Sequence, residues 1–142
     1  MNFEELMLRA VTNAETFKYT AKPNPVVGAI LCNDNEIISE GYHEIYGSNH
    51  AEINAISNAK KHQGKKFNNF SELALVCTLE PCSHVGKTGS CAEQIVETGI
   101  KKVVIGSIDP NPKVAGKGIE ILKKNGIDAV SYTHLTLPTS SR

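Results

Sequence analysis

The chain has 142 residues, enough for one domain that buries a core without disulfides. Its 15 Lys and Arg balance 15 Asp and Glu, which argues against a nucleic-acid-binding stripe or a polybasic membrane anchor and leaves room for a local basic pocket. The longest apolar run, VVGAILC at 26–32, is far too short to span a bilayer. The N-terminus MNFEELMLRA carries acids where an export signal carries its positive region. Four cysteines without such a signal read as thiols or metal ligands, not as a disulfide framework. The expectation is a soluble, cytoplasmic single domain with no nucleic-acid and no membrane partner.

In chain order, Phe3, Leu6, Met7, Ala10, Val11, Ala14 and Phe17 recur at helical spacing and predict an amphipathic first helix. Pro23 and Pro25 in AKPNPVVG force extended backbone on the residues before them and end any helix. VVGAILC reads as a buried strand, NDNE as a turn and IISEGYH as a second strand pairing antiparallel with the first. A helix should open around His50 and run to about Lys61, with Ala51, Ala55 and Ala59 four residues apart. HQGKKFNNFSE (62–72) has no clear period and reads as a polar loop, and LALVCTL as a buried strand. Ser90 and Glu93 fit the S-x-x-E capping box, predicting a helix from Cys91 to Gly99. KKVVIGSI is a strand, a last helix spans roughly 114–124 before Asn125-Gly126, and IDAV starts a final strand. The order α-β-β-α-β-α-β-α-β predicts a mixed sheet with helices on both faces. SYTHLTLPTSSR has no turn or cap logic tying it to what precedes it, so residues 131–142 read as a non-native or truncation-derived tail.

His50 and Glu52 in HAE are two apart, so they do not share a side face of a helix. Both can still converge just beyond the helix N-terminus, where side chains lean and the dipole favours an anion. Cys91 sits at another predicted helix start, where a thiol is biased toward thiolate, and Cys82 follows Pro81 directly after a strand. One imidazole and two thiolates make three tetrahedral zinc ligands with a fourth position open to water, the arrangement of a catalytic site. Glu52 is then placed to shuttle protons. H-x-E upstream of P-C follows the zinc-deaminase signature H-x-E…P-C-x-x-C, except that the second cysteine comes nine residues after the first and not three. H-x-E alone is weak, and Cys32 and Cys77, inside apolar runs, read as core thiols.

Four segments carry a family resemblance: PNPVVGA (23–29), EGYH with HAE (40–52), TLEPCSHVGKTGSC (78–91) and DPNPKVAGKGIEILKKNGI (109–127). Spread over residues 1–130, they resemble diaminohydroxyphosphoribosylaminopyrimidine deaminase of riboflavin biosynthesis, within the cytidine-deaminase-like superfamily. The resemblance implies a three-layer α/β/α fold around a mixed sheet of about five strands. It implies one zinc ion on His50, Cys82 and Cys91, with Glu52 as general acid and base. It also implies a pyrimidinone substrate with a ribosylamino 5′-phosphate arm, whose ring 2-amino group is replaced by oxygen.

Such an arm needs donors several ångströms from the metal, and the nine-residue cysteine spacing provides room for them. Lys87 can supply a point charge to the phosphate, and Ser83, His84 and Thr88 can supply hydrogen bonds. By the same resemblance Asn24 touches the base, while His43, Asp109 and Asn111 line the ribose and phosphate side. Turn chemistry beside proline explains Asn24, Asp109 and Asn111 equally well. Two prolines usual before the second cysteine are replaced here by Gly89-Ser90, which loosens the loop. The resemblance further implies a homo-oligomer, dimer or tetramer. NADPH would be a cofactor only where a full-length protein adds the C-terminal reductase domain of many bacterial relatives, which residues 1–142 do not contain. The competing readings are another zinc deaminase, acting on a nucleoside, free base or tRNA, and a non-catalytic zinc-stabilised module.

Overall fold

The protein is described by a computed structural model covering residues 2–15, 27–34, 36–42, 50–63, 70–83, 90–108 and 111–131. The first helix, α1 (Phe3–Ala14), is capped by Asn2, whose side chain accepts from the N–H groups of Glu4 and Glu5. Those two acids sit in the first turn, where the helix dipole favours them. Strands β1 (Gly28–Cys32) and β2 (Ile37–Tyr42) form the expected antiparallel hairpin. Its turn is closed by Asn33, whose side-chain oxygen accepts from the Glu36 N–H at 2.8 Å. Helix α2 (Ala51–Gln63) follows, then β3 (Ala74–Cys77), α3 (Cys91–Thr98), β4 (Lys102–Ile105), α4 (Lys117–Lys124) and β5 (Asp128–Ser131).

The strands form one five-stranded mixed sheet in the order β2-β1-β3-β4-β5. β1 runs antiparallel to both neighbours, and β3, β4 and β5 run parallel, joined by α3 and α4. Strand alternation assigns the two faces. Ile30, Cys32, Val76 and Val104 pack under Leu6, Met7 and Ala10 of α1. Ala29, Leu31, Leu75, Cys77, Val103 and Ile105 face the other way, toward α2, α3 and α4. Helices therefore cover both faces, giving the three-layer architecture expected from sequence. Cys32 and Cys77 are buried core thiols, as expected.

Two expectations change. The last helix begins at Lys117, three residues later than 114, because Gly116 takes a left-handed conformation (φ 82°) and the chain before it turns on Asn111. Within the stretch read as polar loop, α2 continues to Gln63, and Phe70 is 1% exposed, among the largest fully buried side chains. The Phe70 N–H donates to Thr98 O at 3.4 Å, stitching the entry of β3 to the end of α3. Burying such a ring contributes about 1.5–3 kcal/mol.

α2 lies against the sheet edge with little between them. Its alanines Ala51, Ala55 and Ala59 are buried, and Gly41 of β2 meets its backbone directly. Asn54 and Asn58 donate to the carbonyls of Tyr42 and Glu40, and Ser39 Oγ donates to Ala55 O at 2.7 Å. These bonds occupy polar groups of an edge strand and fix where α2 begins.

Candidate metal centre

His50 immediately precedes α2, and its carbonyl accepts the Asn54 N–H at 3.0 Å, starting the helical ladder. Cys91 is the first residue of α3. Ser90 is its N-cap, accepting from Glu93 N–H at 3.1 Å while its hydroxyl donates to the Glu93 carboxylate at 3.2 Å. The capping box read from sequence thus places a cysteine at a helix start. Cys82 lies beyond β3, where its carbonyl accepts from Ala92 N–H at 3.1 Å and its sulfur accepts from Cys91 N–H at 3.3 Å. Two helix starts and a strand exit are brought to one point.

There, His50 Nδ1 is 3.2 Å from Cys91 Sγ and 3.8 Å from Cys82 Sγ, and the three potential ligand atoms lie within 4.8 Å of one another. A tetrahedral zinc with usual bond lengths separates a nitrogen and a sulfur ligand by about 3.6 Å. The two observed N–S distances straddle that value, so the imidazole stands at zinc-ligand separation from both sulfurs to within a few tenths of an ångström. Nδ1 is the nitrogen facing both sulfurs, and a metal there leaves the ring proton on Nε2.

The charge state of the cluster points the same way. The Cys82 thiol is lowered to about 4, first by a hydrogen bond from Cys91 and then by His50 and the Cys91 backbone N–H, against the cost of burial. Cys91 is pushed up because it donates to the Cys82 thiolate and is itself buried. The His50 imidazole is raised mainly by its hydrogen bond to Cys82. A sulfur held toward thiolate next to a second cysteine and an imidazole is the donor set a divalent cation would take, with loss of the remaining thiol proton leaving two thiolate ligands.

Glu52, only 3% exposed, is pushed up to about 7, chiefly by burial and further by the negative charge of Cys82, while His50 and its own backbone N–H pull it down. The Cys77 thiol is raised well above its usual value by burial and by the Glu52 charge. A carboxyl group in such surroundings exchanges a proton near neutral pH.

Of the expected substrate contacts, Ser83 is half-buried one residue beyond Cys82. Asn111 is exposed beyond β4, and its Oδ1 accepts from the Lys113 N–H at 3.0 Å, the turn role weighed above. Asn24, His43, His84, Lys87, Thr88 and Asp109 lie outside the described residues. Sequence reasoning overlooked Glu80, a buried carboxylate two residues before Cys82 that accepts three backbone N–H groups around the start of α4. Its signal was available: an acid at a strand exit, with the glycines of AGKG marking a helix start that has no capping side chain of its own.

Comparison with known proteins agrees with this geometry. Residues 1–107 match the cytidine and deoxycytidylate deaminase zinc-binding region. A diaminohydroxyphosphoribosylamino-pyrimidine deaminase of Buchnera aphidicola (subsp. Schizaphis graminum) is 46% identical over 121 residues, covering 85% of this chain and 78% of that protein. The riboflavin biosynthesis protein RibD of Escherichia coli is 41% identical, covering 90% of this chain and 33% of its own length. The solved structure of Acinetobacter baumannii RibD superposes with a TM-score of 0.80 at 40% identity, over 91% of this chain and 34% of that one. The chain therefore spans about a third of the RibD proteins. Among the described residues no helix is long and apolar enough to cross a membrane. The chain belongs to the zinc-dependent cytidine and deoxycytidylate deaminase family and, within it, to the diaminohydroxyphosphoribosylaminopyrimidine deaminases.

Proposed function

We propose that this chain hydrolyses the 2-amino group of 2,5-diamino-6-ribosylamino-4(3H)-pyrimidinone 5′-phosphate, giving 5-amino-6-ribosylaminouracil 5′-phosphate and ammonia in riboflavin biosynthesis. The observation that carries this reading is the convergence of His50, Cys82 and Cys91 beside buried Glu52, on a chain 46% identical to a deaminase named for such a pyrimidine.

His50, Cys82 and Cys91 hold one zinc ion in this reading, which when bound supplies a Lewis acid that makes water nucleophilic near neutral pH. Glu52 handles the protons. Its carboxylate takes the first proton from the attacking water and delivers it to the ring nitrogen beside the amino-bearing carbon. It then carries the remaining hydroxyl proton to the amine as the carbon–nitrogen bond breaks, so that water's oxygen stays on the ring and ammonia leaves. No oxidant or reductant enters the balance. Burial of Glu52 suits this work, because a carboxyl poised near neutral both accepts and returns a proton.

On the substrate side, Lys87 is assigned to the 5′-phosphate as a point charge, with Ser83, His84 and Thr88 as hydrogen-bonding neighbours. Asn24 is assigned to the base, and His43, Asp109 and Asn111 to the ribose and phosphate side. Four free cysteines, two of them serving as thiolate ligands, suit a reducing compartment, and cytoplasmic residence as a homo-oligomer completes the reading. Measuring ammonia release from the diaminopyrimidine ribotide beside cytidine, guanine and tRNA tests the assignment. Turnover of the ribotide is expected, and turnover confined to one of the others would overturn it.

A further inference from the structure

Glu80 is 5% exposed, and both of its carboxylate oxygens are occupied by backbone donors. Oε1 accepts from Gly116 N–H at 3.0 Å, and Oε2 accepts from Gly118 N–H at 2.8 Å and Ile119 N–H at 3.2 Å. These donors belong to the N-cap and first turn of α4, where a helix has N–H groups without intrahelical partners and favours negative charge. Gly116, the N-cap residue, has no side chain with which to satisfy them. α4 is therefore capped by an acid from the exit of β3.

The same contact fixes the peptide leading to Cys82. The backbone N–H of Glu80 donates to Ser107 O, just beyond β4, at 2.8 Å. Pro81, the next residue, lies with its carbonyl oxygen so close to Gly118 that any Cβ there would collide with it. Upstream, Thr78 N–H donates to Gly28 O at 3.0 Å, and Thr78 Oγ1 accepts from Gly28 N–H at 3.1 Å. Residues 78–81 are thus held by β1, β4 and α4, and Cys82 is delivered from this clamp to His50 and Cys91.

We propose that Glu80 is a positioning residue for the metal centre: by gripping the start of α4 it holds Pro81 against Gly118, and so sets where Cys82 Sγ stands relative to His50 Nδ1 and Cys91 Sγ. Through Gly116 it also ties the cysteine segment to the Asn111–Ala115 turn, which lies on the assigned ribose and phosphate side. This inference rests on the zinc reading above. A carboxylate serving only as a helix cap would affect the melting temperature and leave the geometry of the metal site in the folded protein unchanged.

The full chain tests it by chelator competition for zinc and by absorption of the cobalt-substituted protein, whose d–d and thiolate charge-transfer bands report ligand geometry. Glu80→Gln keeps the side-chain shape but places an NH₂ against a backbone donor. It is expected to remain folded by circular dichroism, to bind zinc about tenfold more weakly (about 1.4 kcal/mol) and to shift the cobalt bands. Gly118→Ala presses on Pro81 O without altering any charge and should shift both readouts in the same direction, deciding the matter even if Glu80→Gln fails to fold. Glu120→Gln, exposed on the same helix, should match the wild type. Wild-type affinity and cobalt bands in folded Glu80→Gln or Gly118→Ala would overturn the positioning role alone. A wild-type protein that bound zinc or cobalt without two thiolates would overturn the metal reading and this inference together.

Discussion

Gly41 on β2 lies directly against the backbone of Ala55 on α2, with the Ala51 carbonyl and Asn54 also where a Cβ would stand. A sheet edge and a helix meet there backbone to backbone, and the site residues His50 and Glu52 flank the first residue of that helix, Ala51. Gly41→Ala must therefore push α2 away from β2, straining the Asn54 and Asn58 bonds to the edge carbonyls. Overpacking of this kind costs about 1–3 kcal/mol of stability. We expect a lower melting temperature, together with weaker zinc binding in the protein that remains folded. A variant with wild-type metal affinity would show that the placement of α2 does not control the site.

Glu52→Gln removes the titrating group and keeps its shape. Since none of the three metal-binding atoms comes from Glu52, zinc stoichiometry and fold should be retained. Turnover should fall by about 10²–10⁴, the usual contribution of a positioned acid–base group. A variant as active as the wild type would remove Glu52 from the proton transfers, and one that loses zinc would make it a structural element of the centre.

How much of this was legible in the sequence follows from how local each determinant is. Ser90 and Glu93 cap α3 through bonds three residues apart, so the start of α3 and the position of Cys91 were readable from four letters. Cys32 and Cys77 were readable as core thiols by similarly local logic, because each lies inside a short apolar run. Phe70 was not readable, because its burial depends on the end of α3 and the entry of β3 meeting over it. The start of α4 was misplaced because its cap comes from Glu80, thirty-six residues upstream of Gly116, and no periodicity encodes a contact at that separation. The metal cluster was readable only as a pattern of residue types. Its 3.2 and 3.8 Å separations come from the fold.

Zinc removal offers a measurement on the whole centre. Stripping the metal with a chelator should abolish ammonia release and lower the melting temperature, because a ligand that binds only the folded chain stabilises it by mass action. Restoring one equivalent of zinc per chain should recover both. Activity that survived complete removal of zinc would contradict the assigned chemistry.

Lys87→Ala separates substrate recognition from chemistry. Loss of the charge-assisted phosphate contact proposed for Lys87 should raise KM about tenfold or more with little change in kcat, since the lost binding is common to ground and transition states. Zinc content should be unaltered. An unchanged KM would remove Lys87 from the phosphate site.

The last expectation concerns pH and the Arg9–Glu40 cluster between α1 and β2. Arg9 of α1 donates to both oxygens of Glu40 on β2, at 3.0 and 2.7 Å, and Asn13 and the Tyr42 hydroxyl also donate to Glu40 Oε1. The Arg9 hydrogen bonds hold the Glu40 carboxyl below its usual 4.5, against partial desolvation, and Tyr42 is raised to about 12 by burial and by its bond to Glu40. Because the folded pKa of Glu40 is the lower one, the folded state binds fewer protons there than the unfolded chain. Its contribution to stability is fully present above the unfolded value, and it is lost as pH falls through the folded value. Arg9 is half exposed, so solvent screens the pair and the effect is modest. Melting temperatures of wild type and Glu40→Gln should therefore differ at pH 7 and converge as pH falls from the usual carboxylate value down through the lower folded one. A gap that stayed constant across that range would mean that packing of α1 on β2, not the Glu40 charge, carries the contribution.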